Sequence, residues 1–196
     1  MAKAHGVGLE ATLTTNERIL EEMRDPAALS LTKRPELAYV HPLTRAYWAG
    51  SGLYANAPPA RIARNVEVVA YTAHLAKAFA EAGLPVFAGT DTSVPGLAAG
   101  ASLHDELEAL KRAGLSDRTI LESATREGPV WLGLAADRGT VEAGKRADLI
   151  LLTADPLADV ANTRQIAAVI VGGRLLTRAD LDSRMAALKE RYEDRR

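Results

Sequence analysis

Pro85-Val86-Phe87-Ala88-Gly89-Thr90-Asp91 is a nearly unbroken apolar run that stops at a carboxylate. Such a run is the pattern of a short strand buried on both faces, as in a parallel sheet. The segment before it reads as a helix. Over Arg61 to Ala82, residues Ile62, Val66, Val69, Ala73, Ala76 and Ala80 recur at three- and four-residue spacing and predict one buried stripe. Gly83 is placed to cap this helix and Pro85 to stop it. Helix, Gly-Leu-Pro turn and buried strand make an αβ unit, which sets Asp91 at a strand's C-terminal end, ahead of Thr92, Ser93 and a Pro95-Gly96 loop. Loops at that end hold the active sites of parallel α/β folds. A carboxylate there can ligate a metal and take a proton from metal-bound water. Spacing alone favours the plainer role, a loop aspartate capping neighbouring amides.

Toward the N-terminus, Val7 to Thr14 has the size of a short strand, and residues 16–29 predict a helix with Ile19, Leu20 and Met23 on one side and Asp25-Pro26 as its break. Pro35 to Pro59 reads as an irregular segment carrying Tyr39, Tyr47, Trp48 and Tyr54, either a pocket wall or a cover for the core. Toward the C-terminus, Ser102 with Asp105 three residues on suggests a capping box. Leu103, Leu107 and Leu110 form the apolar edge of the helix it would open. Ser116 caps a further helix with Ile120, Leu121 and Ala124, which Gly128-Pro129 is expected to end. Asp148 to Leu152 reads as a strand, and residues 168–176 as a hairpin turning at Gly172-Gly173. Leu181, Met185, Leu188 and Tyr192 predict a closing amphipathic helix.

Composition narrows the function. In 196 residues, 47% hydrophobic and 25% charged content is that of a globular protein. A net charge of −1 gives a nucleic-acid partner no electrostatic support. No apolar run approaches the roughly 20 residues that span a bilayer, and the first residues lack the apolar core of a secretory signal, so no membrane role and a cytoplasmic location are expected. Without cysteine there are no disulfides, thiolate zinc sites or cysteine nucleophiles. Phosphate-loop, dinucleotide and Gly-x-Ser-x-Gly motifs are absent. The four histidines His5, His41, His74 and His104 are scattered, and His104-Asp105-Glu106-Leu107-Glu108 lacks the second histidine of a zinc-protease helix.

Taken together in their order, several stretches resemble the metal-dependent amidohydrolase superfamily. Val86-Phe87-Ala88-Gly89-Thr90-Asp91-Thr92 looks like its last barrel strand, followed by Ser102-Leu103-His104-Asp105-Glu106-Leu107 and Ala113-Gly114-Leu115-Ser116. Then come Ala124-Thr125, Leu132-Gly133-Leu134, Gly139 through Leu149, Asp155-Pro156-Leu157 and Val169 through Arg174. The likeness is strongest over residues 85–176 and closest to the imidazolonepropionase and prolidase-like branch. It implies an α/β fold, the C-terminal fragment of a (β/α)8 TIM-like barrel followed by strands of a small β-sandwich and a C-terminal helix. The corresponding divisions are 1–135 for the partial barrel, 136–178 for the sandwich strands and 179–196 for the helix. It implies Asp91 as the metal-contacting aspartate and proton shuttle, with His104, Thr92 and Ser93 as substrate-pocket residues. It also implies a divalent metal, most simply zinc, which activates water against an amide-like or cyclic C–N bond.

The departures shape the expected function. The family's His-x-His on the first strand is missing, as are the fourth-strand bridge and the fifth- and sixth-strand histidines. A whole barrel takes about 250 residues, so this chain would hold roughly the last quarter of one. One carboxylate cannot hold a catalytic zinc, which needs three protein ligands plus water. The first expectation is therefore the C-terminal segment of a hydrolase of small amide-like molecules, inactive and metal-free alone, with unpaired strand edges that favour self-association. The second is half of a split enzyme that needs a complementing chain. The third is a non-catalytic α/β interaction module.

Overall fold

Strand β1 (Leu9–Glu10) pairs in parallel with β2 (Val86–Phe87), Leu9 opposite Val86 and Glu10 opposite Phe87, in a computed structural model that describes residues 5–193. Between the strands run α1 (Leu13–Arg24), two 3-10 turns (Pro26–Leu29 and Pro35–Tyr39), α2 (Pro42–Ser51) and α3 (Pro59–Glu81). After β2 come α4 (Ala101–Arg112), α5 (Asp117–Thr125) and α6 (Glu127–Trp131). Strand alternation divides the sheet's two faces. Leu9, Ala11, Val86 and Ala88 pack with Ala76 and Phe79 of α3, Leu107 and Leu110 of α4 and Ile120 of α5. Gly8, Glu10 and Phe87 look the other way, into an open groove that Trp131 and Leu132 flank. The sheet has two strands, so neither outer edge has a strand partner among the described residues.

The strand expected over residues 7–14 is cut short because Thr12 turns out of the extended range, with φ 46°. The amides of Leu13 and Thr14 then bond the Glu106 carboxylate of α4 instead of a strand, at 3.0 and 2.7 Å. The same contact starts α1 three residues earlier than expected, at Leu13 rather than residue 16. Asp25 ends it, because its side chain accepts from Ala27 N–H at 2.9 Å and opens a 3-10 turn at Pro26.

Most of the segment expected to be irregular is helical, and only residues 52–58 and the link at 40–41 lack regular structure. Pro35 and Pro42 each open a helix, where the missing N–H has no partner to lose. His41 Nδ1 accepts from Leu43 N–H at 3.2 Å. Trp48 is buried with Leu37 and Ala98, while Tyr47 faces solvent. In α3 the predicted stripe is only partly used. Ala76 is buried outright, whereas Val66 is 40% exposed, because cover from α1, α4 and β2 does not extend along its whole length.

The capping box at Ser102 does not form. Helix α4 starts at Ala101 behind Gly100, Ser102 is buried in its first turn, and Asp105 pairs with Arg18 and Arg164 at 3.1 and 2.5 Å. The Ser116 cap does form, its Oγ accepting from Thr119 N–H at 3.2 Å. Gly128 and Pro129 fall inside the first turn of α6, where proline is tolerated, and do not end the helical region.

The second sheet is antiparallel in the order β3 (Leu149–Leu152), β4 (Ile166–Val171), β5 (Arg174–Thr177). Gly172 and Gly173, at φ 55° and 82°, make its two-residue turn, which only residues free of a Cβ adopt without strain. A 3-10 turn, Val160–Arg164, seats this part on α4, and Val160 is wholly buried in the main core. Helix α7 (Arg178–Glu193) packs on β4, β5 and the Pro35–Tyr39 turn. Its Leu181, Leu188 and Tyr192 are half-buried and Met185 is exposed. Tyr192 meets His41 edge-on at 5.4 Å between ring centroids.

Leu110 has no exposed surface. Leu110→Ala should cost about 2–5 kcal/mol of unfolding free energy, measured by urea titration.

Glu106 is wholly buried, and burial pushes its carboxyl up to about 7 from 4.5, against the Thr14 and Leu13 amides that pull it down. Glu17 adds to the rise and Arg112 opposes it. Between those two values the folded chain keeps a proton that the unfolded chain has released, so stability falls as pH rises through the window. Glu22 slopes the same way and His104 the opposite way, so the difference between wild type and Glu106→Gln isolates Glu106. That difference should change by about 3 kcal/mol across the window in pH-dependent melts. An equal pH slope in both proteins would refute it.

Candidate functional site

Two strand ends lie side by side, and both leave the sheet through a left-handed residue. Thr12 after β1 has φ 46° and Asp91 after β2 has φ 48°. A β-branched threonine in that region is an outlier, and such strain, about 1–3 kcal/mol for each residue, persists where the surroundings over-determine it. Asp91 is exposed at the mouth of the turn. Its carbonyl accepts from Val94 N–H at 3.3 Å. The loop beyond is pinned by Pro95, Gly96, Leu97 and Ala98, all buried, with Ala98 in the cluster of Leu37 and Trp48.

Both neighbours of Asp91 are tethered. The Thr90 carbonyl accepts from Thr15 Oγ1 at 2.7 Å. Thr92 Oγ1 lies 2.5 Å from Thr90 Oγ1 and 3.4 Å from Ser102 Oγ. Ser93, at φ 150°, stands exposed beside them. Asp91, Thr92 and Ser93 thus share one strand end and present a carboxylate and two hydroxyl side chains at one edge. His104 is elsewhere. Its Nδ1 lies 2.9 Å from Thr163 Oγ1, at the seam between α4 and the 3-10 turn below the second sheet. Burial, and then the Arg164 guanidinium, favour its neutral ring, while Asp105 and Glu108 pull the other way.

On the groove side, a Cβ at Gly89 would overlap the Glu10 carboxylate, so glycine there lets Glu10 lie against the backbone just past β2. The groove of about 510 Å³ is lined by Glu10, Phe87, Ser123, Thr125, Trp131 and Leu132 among others, with Phe87 and Trp131 edge-to-face at 5.5 Å. Among the described residues, no three histidine, aspartate or glutamate side chains gather where a metal could sit. Asp91 alone does not fit a zinc site, which takes three protein ligands and water. What the strand end offers by itself is an exposed carboxylate able to accept and return a proton, on a backbone fixed from two sides. No helix among the described residues is long and apolar enough to cross a membrane.

Glu106, Thr15 and Ser102, which hold this strand end in place, do not stand out in the sequence. One signal was available. Ser102, Glu106 and Leu110 are spaced four apart on one face of α4, and a charge set into such a stripe calls for a buried partner.

The sequence profile of the Amidohydrolase family matches residues 1–176. Among solved structures, the chain is similar to a bottromycin amidohydrolase at 28% identity and TM-score 0.72, covering 93% of this chain and 40% of that one. It is similar to a putative prolidase from Bifidobacterium longum at 32% identity and TM-score 0.56, over 67% of this chain and 34% of that one. A Xaa-Pro dipeptidase with methionine bound in its active site shares the fold at 19% identity and TM-score 0.65, over 89% and 36% of the two chains. No curated protein matches. The chain spans well under half the length of these solved relatives. It belongs to the amidohydrolase family.

Proposed function

We propose that this chain forms the C-terminal part of a hydrolase that cleaves a C–N bond in a small dipeptide-like or cyclic amide, with Asp91 as its proton-carrying carboxylate. The observation that carries the reading is the place of Asp91, at the C-terminal end of one of two parallel strands inside the family-matched span. In this reading β1 and β2 are the last two strands of a (β/α)8 barrel within residues 1–135. Residues 136–178 supply the sandwich strands and 179–196 the closing helix, of which 194–196 lie outside the described residues. The likeness to a bottromycin amidohydrolase and to a putative prolidase supports an amide-like substrate with a peptide character.

The family setting calls for a divalent metal, most simply zinc, held by the complete enzyme. The described residues of this chain do not themselves gather a ligand set for it. The chain's own share is proton transfer. Asp91 takes a proton from the attacking water and returns it to the departing nitrogen, with Thr92 and Ser93 beside it as hydroxyl contacts for the substrate. His104, turned onto Thr163, is left out of this pocket.

A second reading, the half of a split enzyme, is favoured by the open edges of the two-stranded sheet and by the groove beside them. A polypeptide carrying the earlier barrel strands and their histidines would cover both. Co-expression with such a segment is expected to give a co-purifying complex that takes up zinc and hydrolyses Xaa-Pro dipeptides. Failure of every such segment to bind would remove the split-enzyme reading.

In the active assembly, Asp91→Asn should lower kcat on the order of 100- to 10,000-fold, the usual range for losing a general acid–base, with KM little changed. Steady-state rates equal to wild type would overturn the role given to Asp91.

A further inference from the structure

We propose that Glu106 is the positioning residue of the strand end: it fixes the backbone that presents Asp91 through the first turn of α1, without touching Asp91 itself. The importance of that position rests on the role proposed for Asp91; the mechanical link does not. Glu106 lies in the middle of α4 with no exposed surface, and its two carboxylate oxygens accept from Leu13 N–H at 3.0 Å and Thr14 N–H at 2.7 Å. The next residue, Thr15, is buried and donates its hydroxyl to the Thr90 carbonyl at 2.7 Å. Asp91 follows Thr90. On its far side Thr92 Oγ1 reaches Ser102 Oγ at 3.4 Å, and Ser102 lies one helical turn before Glu106. The path from α4 through α1, Thr90, Asp91 and Thr92 back to α4 is therefore closed.

Two features argue that this closed path does more than cap a helix. Caps are ordinarily local, and Thr12, the residue in position to cap α1, makes no side-chain bond to it. The cap comes instead from a residue 93 positions away, which fixes where α1 begins relative to α4. The second feature is cost. Glu106 pairs these two amides at the expense of burying an ionisable group, an expense that a local cap from Thr12 would not carry. Both left-handed residues, Thr12 and Asp91, adjoin this path, where strain needs outside support.

The test is a double-mutant cycle on the 196-residue chain, read by amide hydrogen exchange and by the side-chain carboxyl carbon shift of Asp91 in NMR. Val94 N–H, which donates to the Asp91 carbonyl at 3.3 Å, is the reporter, and Gly173 N–H, which donates to the Ala147 carbonyl at 3.0 Å in the second sheet, is the control. Thr15→Val and Glu106→Gln should each speed Val94 exchange roughly fivefold, the equivalent of one lost hydrogen bond. Each should also shift the Asp91 carboxyl signal and leave Gly173 alone. The double variant should exchange no faster than the more affected single variant, as for two groups acting in series. Thr15→Ser should restore the wild-type rate and shift.

Multiplying effects in the double variant, or unchanged Val94 exchange in folded Thr15→Val, would overturn the positioning role. Should Glu106→Gln not fold, Thr15→Val and Ser102→Ala carry the test, since each cuts one side of the path and should move the Asp91 signal. Loss of the hydrolase reading through an active Asp91→Asn enzyme would leave these exchange results standing, so the two failures are separable.

Discussion

The first amides of α1 point into the interior with no carbonyl one turn back to receive them, and the Glu106 carboxylate receives two of them at once. Left unpaired in the core, such donors cost about 1–3 kcal/mol each. Pairing them with a carboxylate carries its own cost, visible in how far burial lifts Glu106 toward neutrality. The balance decides where β1 stops, where α1 starts and how α1 lies on α4. Around that joint the core assembles, with Ala11 and Leu13 on one side and Leu107, Leu110 and Ile120 on the other.

Helix α4 is also held from its opposite side. Arg164 of the 3-10 turn before β4 reaches Asp105 and Glu108 at 2.5 and 2.7 Å, and Asp105 also binds Arg18 of α1. Lys111 bridges Asp117 and Asp159, and Val160 N–H donates to Asp117 at 2.7 Å. Exposed ion pairs of this sort contribute little singly. Their value here is geometric, because they fix the second sheet to the same helix that fixes the strand end. The second sheet thus bears on the strand end, to which it contributes no side chain among the described residues.

Features set by neighbours in sequence were legible in the residues. The apolar run at 86–89, Gly83 after α3, the Ser116 cap and the Gly172-Gly173 turn each depend on a few adjacent side chains, and each is found in place. The family was legible because its markers keep their order across residues 85–176. What escaped was decided at a distance. Ser102 has the chemistry of a cap, but packing draws it into the first turn of α4 beside Thr92. The aromatic segment looked like a loop because Tyr, Trp and Gly are weak helix formers, and burial of Trp48 against Leu37 and Ala98 overrides that preference. Periodicity along α3 shows which face is apolar but not how much of it another element covers, hence the exposed Val66. His104 sat in a family-like stretch, yet its helix turns it onto Thr163 rather than toward Asp91's turn.

Glycine at position 89 lets the Glu10 carboxylate lie over the backbone just past β2, and this bears on any surface that would cover the groove face. Covering that face would take Glu10 out of water together with Phe87 and Trp131. An ion buried without a partner costs several kcal/mol. The covering surface is thereby constrained in charge as well as in shape: it must bring an arginine, a lysine or a strong hydrogen-bond donor to Glu10, or leave room for water. A purely apolar surface, however well it matched the groove in shape, would be rejected.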